Sequence, residues 1–180
     1  MITALELIMP KLEELYNTRV RHYVVKKHTL LVCEQFEKYA FAFDNKCMNM
    51  DLMRLVLAIH DIGKAIDRST QHEHTLSLVR ELWENTPFNK HELYLVEVLL
   101  RDDHLGSYFQ NKYDLSDLKE EIVADATELK MSPSILLQYK MILYQCDIAS
   151  YTKDAGGLKY LEHMFVYENG EKALMRTTAS

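Results

Sequence analysis

The sequence predicts an all-α protein, a compact helical bundle with a small β-hairpin near its C-terminal end. Two observations lead to this fold class. Apolar residues recur at the spacing of amphipathic helices through most of the 180 residues. Gly and Pro are scarce, with 5 and 3 copies, whereas a turn-rich β architecture needs more of both. We expect one domain over residues 1–180, with its core at about residues 20–153, because a chain of this length supports a single core.

The N-terminal third predicts three helices. The first stretch has a boundary near Pro10. Its apolar stripe is Leu5, Ile8, Leu12 and Leu15. A long helix is predicted over residues 20–43, and it places His28 on its apolar stripe. The third helix has Asn49 or Asp51 as its cap.

The rest of the chain predicts four more helices, a short helix after Gly156-Gly157 and the hairpin. The helices fall at about residues 71–83, 90–103 and 118–129, with a last long one that starts at Ser132 and Pro133. His104 continues the apolar stripe of the second of these, and Gly106 closes it. The 118–129 helix is acidic, and its charges are expected to face solvent. The Asn169-Gly170 pair predicts the turn of a hairpin at residues 165–172.

Net charge, cysteine content and hydrophobicity limit the partners and the cellular compartment that we expect for this protein. A net charge of −6 disfavours a grip on long nucleic acid, which needs a basic surface. The three cysteines form no Cys-x-x-Cys pair, which favours reduced thiols and a cytoplasmic protein. No apolar run reaches membrane-spanning length, so no membrane is expected as a partner.

The clearest break in a helical apolar pattern lies at the end of the third predicted helix. Its apolar stripe is Leu52, Leu55, Val56 and Ile59. His60 and Asp61 follow where the stripe should continue, and Gly63 ends the element. A buried His beside a buried Asp is costly unless each has a partner. A divalent metal satisfies both at once, because imidazole and carboxylate are good ligands.

Other polar residues interrupt apolar faces in the same way. They are His28, His60, Asp61, His104 and Asp147, with His72 or His74 as a further member. Taken singly, a buried His is more often a hydrogen-bonded core residue, and Asp147 could form a buried hydrogen bond or ion pair. Taken together, one shared metal site explains them more simply than several unrelated exceptions.

The order of these residues resembles that of the HD-domain superfamily, H…HD…H…H…D, over about residues 21–151. His60-Asp61-Ile62-Gly63-Lys64 matches the HDxGK form of the family. Glu73-His74-Thr75-Leu76-Ser77 resembles the segment that supplies the third histidine, which favours His74, whereas periodicity favours His72. Asp103-His104-Leu105-Gly106 resembles the segment of the fourth histidine, and Cys146-Asp147 resembles the terminal aspartate.

The resemblance implies a single HD domain that holds one or two divalent metals: Mn, Fe, Mg, Ni, Co or Zn. The implied ligands are His28, His60, Asp61, His74, His104 and Asp147, with Asp61 bridging two metals. Most members are phosphohydrolases, and some binuclear members are di-iron oxygenases. The Gly-Tyr-Pro signature of one phosphodiesterase subgroup is absent, and Lys64-Ala65 replaces the Glu-Asp pair of guanosine tetraphosphate hydrolases.

We therefore expect a metal-dependent phosphohydrolase that uses metal-activated water on a phosphate ester. The expected substrate is a nucleotide or another small phosphorylated metabolite. Asp61 and Lys64 are the expected catalytic residues, and Lys64 and Arg101 the expected substrate-binding cations. The alternatives are a di-iron oxygenase, a phosphodiesterase or nuclease of the same superfamily, and a non-catalytic module that senses a ligand. The oligomeric state stays open.

Overall fold

The structure is a computed structural model that describes residues 1–21, 23–39 and 48–150, together with strands at 165–168 and 171–174. Over these residues the fold is all-α, as the sequence predicts. The helices are α1 (Ile2–Ile8), α2 (Lys11–Asn17), α3 (Val25–Tyr39), α4 (Met50–Ile59), α5 (Gln71–Trp83), α6 (Lys90–Leu100), α7 (His104–Phe109), α8 (Leu115–Glu128) and α9 (Pro133–Ser150), with a 3-10 turn at Ile62–Ala65.

Two short antiparallel strand pairs accompany the helices. They are β1 (Arg19–Val20) with β2 (Tyr23–Val24), and β3 (Phe165–Glu168) with β4 (Glu171–Leu174). The second pair confirms the predicted C-terminal hairpin, with Phe165 opposite Leu174 and Glu168 opposite Glu171. The Asn169-Gly170 turn itself and the short helix predicted after Gly156-Gly157 lie outside the described residues.

Helix α4 forms the centre of the bundle. It begins at the predicted cap, because the side chain of Asn49 accepts a hydrogen bond from the Leu52 amide at 3.1 Å. Helices α3, α6 and α9 all pack against it. Its buried residues are Leu52, Met53, Leu55, Val56, Leu57, Ala58 and Ile59. Asp51 and Arg54 in its first half reach the surface, whereas its second half, from Leu55 to Ile59, is buried throughout. His60 and Asp61 follow this buried half and are therefore also brought into the interior.

The start of the long second helix was predicted wrongly. The strands β1 (Arg19–Val20) and β2 (Tyr23–Val24) pair as a hairpin, and α3 begins only at Val25. Arg21 at the turn has φ 52°, a left-handed conformation that no helix accommodates. The β-branched and aromatic residues around it favour extended backbone. The hairpin brings Tyr23 to the site described below.

The connection after α6 also differs from the prediction. Helix α6 ends at Leu100, and His104 begins a separate helix, α7. Asp103 caps α7 by accepting a hydrogen bond from the Gly106 amide at 3.1 Å. Gly106 therefore lies inside α7 instead of closing α6, and a Cβ there would lie 2.4 Å from Asp103 Oδ1.

The other helices match their predicted positions. Helix α5 covers the predicted residues, and α9 begins at Pro133 directly after Ser132. Helix α9 packs against α3, α4, α7 and α8, which places its polar residues between several elements. Within the described ranges, no helix combines the length and the apolarity that crossing a bilayer requires.

Gly63 is required by the close approach of the 3-10 turn to α5. Its amide donates a hydrogen bond to Thr75 Oγ1 at 3.1 Å. A Cβ at this position would lie 2.0 Å from the backbone oxygen of Gln71, which no side-chain rotation can relieve.

We therefore expect Gly63→Ala to lower the free energy of unfolding by about 1–3 kcal/mol, the usual cost of overpacking. Urea denaturation measures the loss. Ser77→Ala, on the exposed face of α5, is the control and should change stability by less than about 0.5 kcal/mol. A Gly63→Ala variant as stable as the wild type would contradict this close approach.

Candidate metal centre and substrate cavity

A cavity of about 100 Å³ opens at the end of α4, between the 3-10 turn, α5, the α6–α7 connection and α9. It has room for several water molecules or a small anion. Its lining residues are His60, Asp61, Lys64, Gln71, His72, Leu99, Leu100, Asp102, Asp103, His104, Leu105, Lys140, Leu143, Tyr144 and Asp147. Carboxylates, imidazoles and ammonium groups thus share one small space with apolar walls.

Three of the predicted ligands converge at one end of this cavity. His28, His60 and Asp147 offer ligand atoms that all lie within 4.8 Å of one another. The Nε2 atoms of His28 and His60 lie 3.0 and 3.6 Å from Asp147 Oδ1. The side chains come from α3, the end of α4 and α9, three elements that pack together. We call these three residues the metal cluster.

Asp61 lies directly beside the metal cluster. Its Oδ2 is 3.3 Å from His28 Nε2, and its Oδ1 is 3.6 Å from His60 Nε2. Tyr23 donates a hydrogen bond to Oδ2 at 3.1 Å, and Lys64 Nζ is 2.6 Å from Oδ1. Both carboxylate oxygens therefore have a defined orientation next to the histidines.

Hydrogen bonds fix the orientation of the two cluster histidines. Nδ1 of His60 is 2.8 Å from the carbonyl oxygen of Leu57, which only accepts, so this nitrogen carries a proton. Ser150 Oγ donates to the Asp147 carbonyl at 2.6 Å and is 3.2 Å from Nδ1 of His28, from which it accepts. In the neutral rings the lone pair is then on Nε2, the atom that points to the carboxylates.

Charge in this cluster shifts the pKa values strongly. Burial alone would lower the pKa of His28, but the hydrogen bonds and negative charges of Asp147 and Asp61 raise it to about 9. Burial opposes ionisation of Asp147, yet His28 and His60 lower its pKa to about 2. Despite burial, His60, His28 and Lys64 lower the pKa of Asp61 well below its usual range. Without metal, the site is therefore a pair of carboxylates held by a protonated His28 and by Lys64.

The metal cluster fits a divalent cation. Nε2 of His60 is buried, and the carboxylate oxygens of Asp61 and Asp147 next to it lie 3.6 Å away, too far for a hydrogen bond. A buried polar atom is rarely left without a partner, and a metal ion between His60 and these carboxylates is one partner that satisfies it. Two imidazole nitrogens with one or two carboxylates form a donor set suited to Mn, Fe or Zn.

The third histidine lies elsewhere than the family order suggested. His72, not His74, lines the cavity. Nδ1 of His72 is 2.9 Å from the Leu100 carbonyl oxygen, and its Nε2 is 3.3 Å from the side-chain nitrogen Nε2 of Gln71. The geometry therefore does not match the choice of His74. It agrees with the periodicity of α5, which places His72 on the same side as Leu76 and Val79.

His104 lines the cavity but belongs to a second group of residues. Its Nδ1 bonds to Glu121, and its ring stacks on Tyr113 with centroids 4.3 Å apart. Asp102, His104 and Glu121 offer a second set of ligand atoms within 4.8 Å. Lys140 Nζ, however, lies 3.1 Å from Glu121 Oε1 and 3.6 Å from Asp102 Oδ1, where it already supplies positive charge.

The two predicted substrate-binding cations have different positions. Lys64 lines the cavity, although its ammonium pairs with Asp61. Arg101 is not among the lining residues, because its guanidinium pairs with Asp102 and Asp125. Lys140 is the second lysine on the cavity wall.

Sequence reasoning missed Tyr23, Glu121 and Lys140. Glu121 and Asp125 were expected to face solvent, but they are enclosed where α8 packs against α9. The sequence does contain a signal for Lys140, because this residue lies seven positions before Asp147 in α9 and therefore on the same face of the helix. Tyr23 gave none, because its position depends on the β1–β2 hairpin.

Comparisons with protein-family models, with curated proteins and with solved structures found no match to this chain. The likeness to the HD-domain superfamily therefore rests on the residues and their order in the sequence.

Proposed function

We propose that this chain is an HD-type, metal-dependent phosphohydrolase that cleaves a small phosphate ester. The observation that carries the proposal is the convergence of His28, His60 and Asp147, with Asp61 adjacent, at the end of a cavity that also holds Lys64. Two further observations support it: the orientation of the histidine rings and the buried Nε2 of His60, which has no hydrogen-bond partner among the described residues.

In this proposal, the metal is held by His28, His60, Asp61 and Asp147. A divalent ion there supplies two effects, a lowered pKa of a coordinated water and polarisation of the phosphoryl oxygen. Leu57 and Ser150 hold the imidazole rings in the required tautomer. Tyr23 holds the Asp61 carboxylate in place through its hydroxyl group.

In this proposal, Lys64 pairs with Asp61 in the absence of substrate and metal, and with the phosphate of the substrate when both are bound. Its ammonium pairs with Asp61 in this structure. If Asp61 held a cation, the Lys64 ammonium would be free to bind the phosphate of the substrate and to neutralise its negative charge. His72 and His104 border the same cavity and would contact the substrate or a second metal.

The experiment that tests the proposal is elemental analysis of protein purified without added metal, followed by an assay. We expect about one equivalent of a divalent metal after loading and release of inorganic phosphate from p-nitrophenyl phosphate or mononucleotides. A chelator should abolish the activity. Stoichiometric iron with oxygen consumption and no phosphate release would instead support a di-iron oxygenase. Robust cleavage of single-stranded DNA or RNA with no activity on small phosphates would contradict the substrate class.

Metal affinity should depend on pH through His28. With its pKa at about 9, His28 is protonated near neutral pH and must lose that proton to bind metal. We expect the apparent Mn²⁺ affinity to rise about tenfold per pH unit between pH 6.5 and 8.5, with release of about one proton. Calorimetric titration in two buffers of different ionisation enthalpy measures both quantities.

The metal-free protein should show the opposite trend. A pKa raised on folding contributes stability that is fully present below the unfolded value, about 6.5, and is lost as the pH rises through about 9. The Tm of the metal-free protein should therefore fall over this range while the Tm increase caused by Mn²⁺ grows. The control is His91→Gln, which removes an exposed histidine and should leave both trends unchanged. An affinity independent of pH would contradict the assignment of His28.

A further inference from the structure

The cavity has a second polar end, which the proposed metal does not use. We call it the charged wall: Asp102, His104 and Lys140 line the cavity, and Arg101, Glu121 and Asp125 lie behind them. Any substrate whose phosphate reaches the metal cluster must place its remaining atoms between this wall and the apolar residues around it. The inference drawn from the wall rests on the proposed function.

Lys140 has hydrogen-bonding capacity that the described residues do not fill. Its side chain is only 6 % exposed, yet its ammonium makes one hydrogen bond, to Glu121 Oε1 at 3.1 Å. The distances to Asp102 Oδ1, 3.6 Å, and Asp125 Oδ2, 4.0 Å, are too long for hydrogen bonds. An ammonium group has three donors, so two remain for an acceptor. A buried donor is costly without a partner, and the cavity is where a partner can bind.

Asp102 provides the complementary acceptor beside Lys140. It accepts hydrogen bonds from the His104 amide at 3.3 Å and from Arg101 Nε at 3.1 Å. A carboxylate has about four acceptor positions, so capacity remains for a ligand. Asp102 also lies beside two cations, Arg101 at 3.1 Å and Lys140 at 3.6 Å, which favour a charged carboxylate at this position.

A donor and an acceptor this close together select for a group that both accepts and donates. A hydroxyl group does both, so it can accept from Lys140 and donate to Asp102. An ionised phosphate oxygen only accepts, and at this position it would face the Asp102 carboxylate. The repulsion between these two negative charges would lower the affinity of the site for a phosphate many-fold.

The net charge of the charged wall also disfavours a phosphate at this position. Three carboxylates, Asp102, Glu121 and Asp125, surround two permanent cations, Lys140 and Arg101. No positive charge is left over for a second phosphate. The cavity of about 100 Å³ is also smaller than the roughly 300 Å³ at which pockets for drug-sized ligands begin.

We propose that the charged wall binds a hydroxyl group of the alcohol part of the substrate and excludes a second phosphate. The substrate is then a small hydroxylated phosphomonoester, and pyrophosphate, nucleoside diphosphates and nucleoside triphosphates are rejected. Asp102 and Lys140 are the residues that determine this specificity.

The first test uses the metal-loaded wild-type protein and a matched pair of esters. Glycerol 1-phosphate and n-propyl phosphate have the same carbon chain and phosphate, and only the former has free hydroxyl groups. We expect kcat/KM to be about 10²-fold higher for glycerol 1-phosphate, since a site built to bind a hydroxyl rejects the analogue that lacks it. Pyrophosphate and ADP should be hydrolysed still more slowly. Equal rates for the pair, or a preference for pyrophosphate or ADP, would overturn the inference and leave the phosphohydrolase intact.

The second test is Asp102→Asn, which removes the negative charge with little change of shape. We expect the preference for glycerol 1-phosphate over ADP to fall about tenfold or more, mainly through KM, with metal content unchanged. An unchanged preference would contradict the role of Asp102. If the wild type hydrolyses no phosphate, p-nitrophenyl phosphate included, the proposed function itself fails and this inference falls with it.

Discussion

Asp61→Ala should abolish phosphate release and reduce the bound metal. Asp61 is buried beside His28 and His60, and both of its oxygens are oriented by hydrogen bonds or ion pairs. Loss of a ligand that positions the metal removes several kcal/mol of transition-state stabilisation, which corresponds to at least about 10³-fold in kcat/KM. Steady-state kinetics with p-nitrophenyl phosphate and elemental analysis of the same sample measure the two effects.

Two other variants make this result specific. Lys64→Ala should lower kcat/KM while leaving bound metal at or above the wild-type level, because the lysine competes with the metal for Asp61. Asp117→Ala removes an exposed carboxylate at the start of α8 and should affect neither quantity. Equal loss of metal in Lys64→Ala and Asp61→Ala would show that Lys64 is structural.

Lys140→Met should cause the largest loss of stability among these variants. The ammonium is buried among Asp102, Glu121 and Asp125, so its removal leaves the carboxylates with too little positive charge. Breaking a buried ion pair in this way costs about 3–5 kcal/mol. Urea denaturation at pH 7 gives the change in the free energy of unfolding.

A second substitution separates charge from packing in this prediction. Lys140→Met combined with Glu121→Gln should recover part of the loss, because one of the uncompensated charges is then gone. Lys11→Met removes a lysine of an exposed pair with Glu81 and should cost no more than about 1 kcal/mol. A loss of that small size in Lys140→Met would show that the carboxylates around it are solvated or protonated.

The central helices and the metal cluster were predictable because several signals agree there. Helix α4 has an Asn cap and an apolar run from Leu55 to Ile59, and α9 has Ser132 and Pro133 at its start. His28 and Asp147 could be singled out because each breaks an otherwise apolar stripe of a long helix. A polar residue on such a stripe must be buried, so its chemistry shows in the pattern.

The rest of the site depends on tertiary contacts that leave no local pattern. Val20 and Val24 fit a helical stripe and a strand equally well. Arg21 between them has a left-handed conformation, which is compatible with the turn of a hairpin and not with a helix. His72 and His74 are only two residues apart, and the packing of α5 on the 3-10 turn determined which one reaches the cavity. Glu121 lies in an acidic segment that is typical of a solvated helix face, and its partners, His104 on α7 and Lys140 on α9, are distant in the sequence.

The measurement that tests the metal cluster most directly is an anomalous diffraction map from crystals soaked in Mn²⁺. The account predicts a peak within ligand distance, about 2.0–2.3 Å, of His28 Nε2, His60 Nε2 and an oxygen of Asp147, with Asp61 beside it. A peak at Asp102, His104 and Glu121 with none at the metal cluster, or no peak at either position, would contradict it.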